Sequence, residues 1–485
     1  MKPAPLPRGS LAALALLAAL AAGCAVNPAT GKHQLMLVSE RQEVEIGRES
    51  DRSISAEMGL YDDAKLQAYV QDLGRRLAAR SERPDLGWTF RVIDDPVVNA
   101  FALPGGFVYV TRGILAHMNN EAELASVIGH EIGHVTARHG ASQMTKAQLA
   151  QVGLGLGSIL APERADRFGG IAASGLGLLF LKHGRDDERQ ADGLGLRYMV
   201  VAGYDPRPMA DMFDMLERVS ASAGGGGVPA WASTHPAPEN RRSWTENKIA
   251  AMGRDFSGWS IEREGFLARI DGLTFGEDPR QGYFKGQLFF HPALRFRMDF
   301  PEGWKSQNRP RAVVSASPEK DAVLQLTLAA QASPEAALAA FFSETGARRT
   351  GPAMAAISGL PTAGDGFVVE AADGNLQGRV GFVEHGGKVF RLLAYAAQHR
   401  WSAHEPAIRR SLASFDRLTD ARALDVQPQR LAIVRADRTM PLEEFASRQR
   451  ATVDVETLEL LNRLDPGRRV QEGSSYKLVL GGELP

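Results

Sequence analysis

Cysteine is almost absent: the only one in 485 residues is Cys24, so no disulfide can form within the chain. An excess of one charge is missing too. The 56 Lys and Arg stand against 57 Asp and Glu, for a net charge of -1, which removes the basic footprint of a nucleic-acid partner. Long apolar runs are lacking after residue 22. The run 11–22, "LAALALLAALAA", has the length of a signal-peptide core and is short for a membrane span. A second apolar stretch, 153–182, has a charged centre and many glycines, which argues against a spanning helix. It reads as helices packed under an active site, with membrane or substrate contact as the alternative. No helical-hairpin repeat is found. At this length one core does not suffice, and two to four domains are expected.

What is present starts with Lys2 and Arg8 ahead of the apolar run, followed by "LAAGC" at 20–24. This segment resembles a bacterial lipobox. The resemblance implies a lipoprotein signal peptide over 1–23 and acylation of Cys24. Ala25 in place of Asp is similar to the sorting pattern of outer-membrane lipoproteins. The implied location is the periplasmic face of the outer membrane, with a stable anchor from several acyl chains.

Residues 24–38 read as a linker. Helical periodicity follows over 39–54 and 62–80. "WTFRVID" and "NAFALPGGFVYV" read as strands, the second broken at Pro104-Gly105-Gly106. Residues 120 to about 150 read as a long helix or a broken pair, with Asn120 and Glu123 as N-cap and capping-box partner. Helices resume over 185–202 and 206–222, then "SAGGGG" at 222–227 reads as a flexible loop. Residues 256–284 form a connector of little periodicity. From 285 to 420, alternating strand patterns and two helical stretches give an α+β sheet domain, similar at "FPEGW" to small PsbP-like domains. Residues 430–481 read strand–helix–helix–strand and resemble a lysin-motif module.

The chemistry concentrates in "SVIGHEIGHVTARHG", residues 126–140. A helix sets His130 and His134 on one face, a turn apart, so two imidazoles can converge on one metal ion. Glu131 is rotated off that axis and can reach a water at an open coordination position, the HExxH arrangement. Zinc suits nitrogen and oxygen ligands in a tetrahedron with one site left for water. It lowers the pKa of that water toward ~7. Glu131 then takes the proton during attack on a carbonyl and passes it to the leaving nitrogen. Gly129 and Gly133 suggest close packing of this helix, because each glycine costs up to about 1 kcal/mol relative to alanine.

A third ligand is needed. The candidate is Glu188 in "DDERQADGLG", with Asp192 one turn further along. Such a pair can place one carboxylate on zinc and the other behind a histidine, fixing its tautomer. Asp187 is the rival, but Asp192 spaces correctly only with Glu188. His139 and His183 are further rivals, with a solvated or capping role as the alternative.

HExxH, then ExxxD about fifty residues on, then "HP....R", with "NAFALPGGFVYVTRGIL" upstream, resembles metallopeptidase family forty-eight, the gluzincins of HtpX, Oma and BepA type. The resemblance covers residues 35 to 255. It implies His130, His134 and Glu188 as ligands of one Zn2+ per chain, Glu131 as general base, and Asp192 as the carboxylate behind a ligand. It implies roles near the cleft for His235 and Arg241, as oxyanion stabilisers. For His235 it also leaves open a ligand that holds the enzyme off, or a structural histidine. The strand around Asn99, Ala100, Phe101, Gly105 and Gly106 is implied to pair with extended substrate by β-augmentation.

The fold class expected is therefore α+β: a mainly helical zincin domain (39–255) with a small sheet, then the sheet domain and a small βααβ module. The function implied is zinc endopeptidase activity in the bacterial envelope on misfolded or stalled envelope proteins. Outer-membrane assembly machinery and peptidoglycan are candidate partners. The alternatives are a periplasmic chaperone or assembly scaffold with an autoinhibited protease site, and a cell-wall-binding protein with a vestigial peptidase.

Overall fold

The computed structural model describes residues 24–158, 183–222, 231, 235, 240–371 and 374–484. The signal-peptide reading of 1–23, residues 159–182 of the glycine-rich stretch and the loop over 223–230 lie outside the described residues. The chain divides into two compact units, one of 1–275 with 431–480, the other of 276–430 with 481–485.

In the first unit, the stretch read as a linker carries a short hairpin, β1 (Cys24–Val26) paired antiparallel with β2 (His33–Leu35). Its turn is held by the Asn27 side chain, which accepts from the backbone N–H of Ala29 at 2.9 Å. Helix α1 (Glu40–Met58) starts at a Ser39–Gln42 capping box, and α2 (Ala64–Ala78) at Asp63, whose carboxylate accepts from two backbone amides. A three-stranded sheet follows, of β3 (Thr89–Ile93), β4 (Ala100–Leu103) and β5 (Phe107–Thr111), in the order β3-β5-β4. β3 runs parallel to β5 and β4 antiparallel to it. β4 is therefore an edge strand, with Phe101 stacked on Tyr109 and with Asn99 just before it. Gly105 and Gly106 form its turn at φ 83° and 98°, a region open to glycine.

After α3 (Arg112–His117) comes α4 (Glu121–Thr136), every residue of which is buried. The expected N-cap is there: Asn120 accepts from Glu123 N at 2.9 Å, and the Glu123 carboxylate accepts from Asn120 Nδ2 at 2.7 Å. The chain then breaks rather than continuing as one helix. Arg138 takes a left-handed φ of 58°, and α5 (His139–Ser158) leaves in a new direction. The strained residue is pinned by its own side chain, which donates to Glu43 Oε2 at 2.8 Å and Val38 O at 2.9 Å. Arg83 binds the other oxygen of the same buried carboxylate at 2.9 Å.

Helix α6 (Arg185–Val201) packs on α4 nearly backbone to backbone. A Cβ on Gly133 would lie 3.0 Å from Ala191 O, and one on Gly195 would lie 2.8 Å from His130 N. The glycines thus let the two site-bearing helices approach. Next come α7 (Pro208–Ser222) and α8 (Arg241–Ala251). In the stretch read as a connector, α9 (Arg263–Ile270) buries Phe266, Leu267 and Ile270. Eight residues are too few for a clear helical period, which is why the sequence pattern does not reveal it.

The second unit holds a four-stranded and a seven-stranded sheet. The first joins β6 (Tyr283–Lys285), β7 (Leu288–His291) and β8 (Phe296–Asp299) to β16 (Asp416–Arg417). The second contains β9 (Lys305–Arg309), β10 (Ala312–Ala316), β11 (Ala322–Leu328), β12 (Arg348–Thr350), β13 (Thr362–Ala371), β14 (Gly374–His385) and β15 (Lys388–Ala397). Their spatial order is β12-β13-β14-β15-β11-β10-β9. Burial alternates along β11, as a sheet with helices on its faces requires. Helix α10 (Pro334–Thr345) packs on β13 and β14, and α11 (Trp401–Ala413) on β15 and β8.

The C-terminal segment contains β17 (Arg430–Arg435), β18 (Met440–Pro441), α12 (Leu442–Arg448), α13 (Val455–Asn462), β19 (Arg469–Val470) and β20 (Ser475–Leu480). It shares one apolar core with the N-terminal helices: Leu73, Ile128 and Phe266 belong to the same cluster as Leu458 and Leu478. Polar contacts are just as specific. Arg463 grips both oxygens of Glu123 at 2.9 and 2.8 Å. The fully buried Lys477 Nζ donates to Ala116 O and Met118 O, both at 2.8 Å. Asn119 Nδ2 donates to Leu461 O at 3.1 Å. The segment therefore packs against the start of α4.

Candidate metal centre

Two helices and His235 build the site. α4 supplies His130, Glu131 and His134, α6 supplies Glu188 and Asp192, and His235 comes from the stretch after α7. The one-turn spacing in α4 sets the imidazoles edge-on, at 77°, so that their Nε2 atoms lie 3.0 Å apart. Glu188 Oε2 is 3.5 Å from His130 Nε2, and Glu188 Oε1 is 3.5 Å from His134 Nε2. His235 Nδ1 completes the group, 3.4 Å from His130 Nε2 and 3.2 Å from Glu188 Oε1. Trp231 stacks on the His235 ring at 4.2 Å.

These four side chains suit a divalent ion. Lone-pair nitrogens 3.0 Å apart repel unless a proton or cation lies between them. Ligands at about 2.0–2.1 Å in a tetrahedron sit roughly 3.3 Å from one another, which is the spacing seen. Among the described residues, Glu188 Oε2 and both oxygens of Glu131 are buried without a hydrogen-bond partner, as suits a site that takes a cation.

The outer nitrogens of the histidines are also engaged. His130 Nδ1 lies 2.9 Å from Asp192 Oδ1. Arg241 Nε and Nη2 donate to the same carboxylate at 2.9 and 2.5 Å, and its Nη1 is 3.6 Å from Glu188 Oε2. The guanidinium rests 4.4 Å above the Phe213 ring. His134 Nδ1 lies 2.9 Å from His139 Nδ1, and His139 Nε2 lies 3.0 Å from Gln190 Oε1. His183 stacks on the His134 ring at 4.0 Å. Asp187 is not a member of the four-residue group: its Oδ2 accepts from Gly184 N and Gln143 Nε2, both at 2.9 Å, and its Oδ1 lies 3.7 Å from His139 Nε2.

Electrostatics separate the two glutamates. Burial pushes the Glu131 carboxyl up, against the pull of His235 and His130. Burial raises Glu188 too, but His235 and His130 outweigh it and hold that carboxyl well below the usual range. Burial works against charge on His130, yet the Asp192 and Glu188 carboxylates push it up to about 9. His134 is held well below its usual value by burial and by its histidine neighbours. A pair of carboxylates driven apart in this way suits one to act as acid and base and the other as ligand.

The structure thus brings together His130, Glu131, His134, Glu188, Asp192, His235 and Arg241. The contact of His139 with His134, and the parts of Gln190 and Trp231, are not foreseen from sequence. In an unbroken helix residues five apart point away from each other, and only the break at Arg138 turns His139 back.

Fold and site together define a helical HExxH metal centre beside a small three-stranded sheet. Residues 64–246 match the model of peptidase family M48. A mitochondrial metalloendopeptidase OMA1 from Arabidopsis thaliana is 34% identical over 193 residues, 40% of this chain and 38% of that protein. A beta-barrel assembly-enhancing protease from Yersinia pestis is 33% identical over 221 residues, 44% of each chain. The chain therefore spans less than half the length of these curated relatives. Among solved structures, cyanobacterial PsbP from Synechocystis sp. PCC 6803 is matched over 28% of this chain and 95% of that one, at 13% identity. Its TM-score of 0.23 is too low to carry an argument.

Proposed function

We propose that this protein is a zinc endopeptidase of the bacterial envelope whose site His235 holds closed. The observation that supports this reading is the convergence of two helical imidazoles and a buried carboxylate beside Glu131, whose oxygens have no hydrogen-bond partner among the described residues. His130, His134 and Glu188 would hold the ion. Zinc, when bound, supplies Lewis acidity toward water and a peptide carbonyl. The chain's own residues do the rest. Glu131, its carboxyl raised by burial, takes a proton from the attacking water and returns it to the leaving nitrogen. Asp192, oriented by Arg241, fixes the His130 tautomer. An oxyanion contact is left to Arg241 Nη1, since its other donors are committed to Asp192. The edge strand β4 offers its free backbone side to extended substrate.

His235 would close the site as a fourth protein ligand, whereas a catalytic zinc needs an open position. Glu131 Oε1 lies 3.6 Å from His235 Nε2, so the imidazole sits where water would have to be. Substrates are misfolded or stalled envelope proteins, in keeping with the relative named for β-barrel assembly. A lipid anchor on Cys24 at the periplasmic face of the outer membrane completes the reading. Among the described residues no helix is long and apolar enough to cross a membrane.

The test is cleavage of casein by the purified chain with zinc, with Glu131→Gln as control. Cleavage that persists in Glu131→Gln or after chelation refutes the proposal. His235→Ala should raise turnover; abolished turnover assigns His235 to the oxyanion instead. The four-ligand closure also favours a second reading, an assembly scaffold with a silent protease site. Full rescue of every phenotype by Glu131→Gln selects it.

A further inference from the structure

The two histidines of α4 are supported differently. Each directs Nε2 toward the other and toward Glu188, so each must carry its proton on Nδ1 to leave a lone pair for an ion. For His130 the acceptor of that proton is Asp192. For His134, among the described residues, no carboxylate pairs with Nδ1. The atom there is His139 Nδ1, at 2.9 Å. An Nδ1 that accepts puts the His139 proton on Nε2, and Nε2 meets Gln190 Oε1 at 3.0 Å. The tautomers are consistent along the whole row, which ends on the Gln190 amide oxygen, with Asp187 Oδ1 3.7 Å from the same Nε2. The outer partners Asp187, Gln190 and Asp192, like the candidate ligand Glu188, all come from α6.

We propose that His139 is a positioning residue for the metal centre: it accepts the Nδ1 proton of His134 and, anchored by Gln190, fixes that ligand's tautomer and ring orientation. The inference rests on the reading of His134 as a zinc ligand. His139 is buried, and its ring stands edge-on to His134 at 73° with centroids 5.0 Å apart. This arrangement points a lone pair at a donor. It depends on Arg138, whose left-handed backbone and paired guanidinium turn the chain so that the first residue of α5 faces α4. The same geometry argues against His139 as a ligand of that ion, since its nitrogens are not among the donor atoms that converge with those of His130, His134 and Glu188; His139 groups instead with His134 and His183.

The test is zinc affinity of the full chain by competition with a chromogenic chelator, with thermal unfolding of the ion-free protein as a folding check. His139→Phe keeps the ring and removes the acceptor; a loss of about 10- to 100-fold in zinc affinity is expected. His139→Asn returns an acceptor oxygen near the position of Nδ1 and should stay within about threefold of the unmodified chain. Unchanged affinity in His139→Phe overturns the proposal. So does an equal loss in both variants, which assigns His139 a role of shape alone. If His139→Phe fails to fold, Gln190→Leu carries the test, with at least about threefold weaker zinc expected and unchanged affinity overturning the idea. Two zinc ions per chain, one of them lost in His139→Phe, overturn it too, because His139 is then a ligand. A chain that binds no zinc at all overturns the reading of the site and this inference together. Zinc binding that is indifferent to His139 leaves the site standing and sinks only this step.

Discussion

Replacing Arg463 with alanine removes the guanidinium that holds both oxygens of Glu123, at 2.9 and 2.8 Å. Glu123 is fully buried, in the first turn of the helix that carries His130 and His134. Breaking a buried ion pair from one side costs about 3–5 kcal/mol, because a charge is left without its partner. Three features reduce that figure here. Arg463 retains 17% side-chain exposure. Glu123 keeps hydrogen bonds from Asn119 N at 2.8 Å and Asn120 Nδ2 at 2.7 Å. The helix N-terminus supports a negative charge by about 0.3–1 kcal/mol. A net loss of about 2–3 kcal/mol follows.

Calorimetry of the full chain reads that loss directly. At about 2 °C per kcal/mol for a unit of this size, Tm should fall by about 4–6 °C. The C-terminal segment should unfold in the same transition as the helices it grips. The double variant Glu123→Gln with Arg463→Met should recover most of the loss, since a neutral pair leaves no buried charge behind. A change under about 0.5 kcal/mol in Arg463→Ala, the size of an ordinary surface substitution, would refute the reasoning. So would a separate transition for residues 431–480.

Gly195→Ala puts a methyl 2.8 Å from His130 N, with backbone on both sides; α4 and α6 must part, at a cost of about 1–3 kcal/mol by urea unfolding, and zinc should bind more weakly. A stability equal to that of the unmodified chain would show that the helices have room to spare. Asp192→Asn keeps shape but weakens the grip on His130 Nδ1 and leaves Arg241 buried without its carboxylate; zinc affinity by chelator competition should drop about 10- to 100-fold. Burial pushes His117 down to about 4, with its Nδ1 2.8 Å from Gly113 O. Its folded value lies below the unfolded one near 6.5, so its support is complete above that pH. Stability then declines by at most about 1.4 kcal/mol per unit as pH falls toward about 4. His117→Gln should flatten this part of the acid limb in urea titrations; an unchanged slope assigns the limb to other groups.

Legibility in the sequence followed the distance over which each contact acts. His130 with His134, and Glu188 with Asp192, are one-turn spacings within single helices, so the period alone sets each pair on a common face. The Asn120–Glu123 cap is local in the same way. Bringing α4 and α6 together is a tertiary matter, yet it left a trace, because Gly129 and Gly133 are costly in a helix unless another backbone needs the space. His139 left none. Its contact with His134 exists only because Arg138 adopts φ 58°, and that conformation is stabilised by Glu43, 95 residues away along the chain. Arg463 and Lys477 are harder still. In sequence they look like solvated charges on a small appended module, and their partners lie 340 residues or more away. A buried cation can be recognised only once its anion or carbonyls are known. The candidate metal site is thus readable from periodicity, whereas the contacts that tie its helix to both flanking stretches are not, since they are long-range polar contacts with no periodic signature.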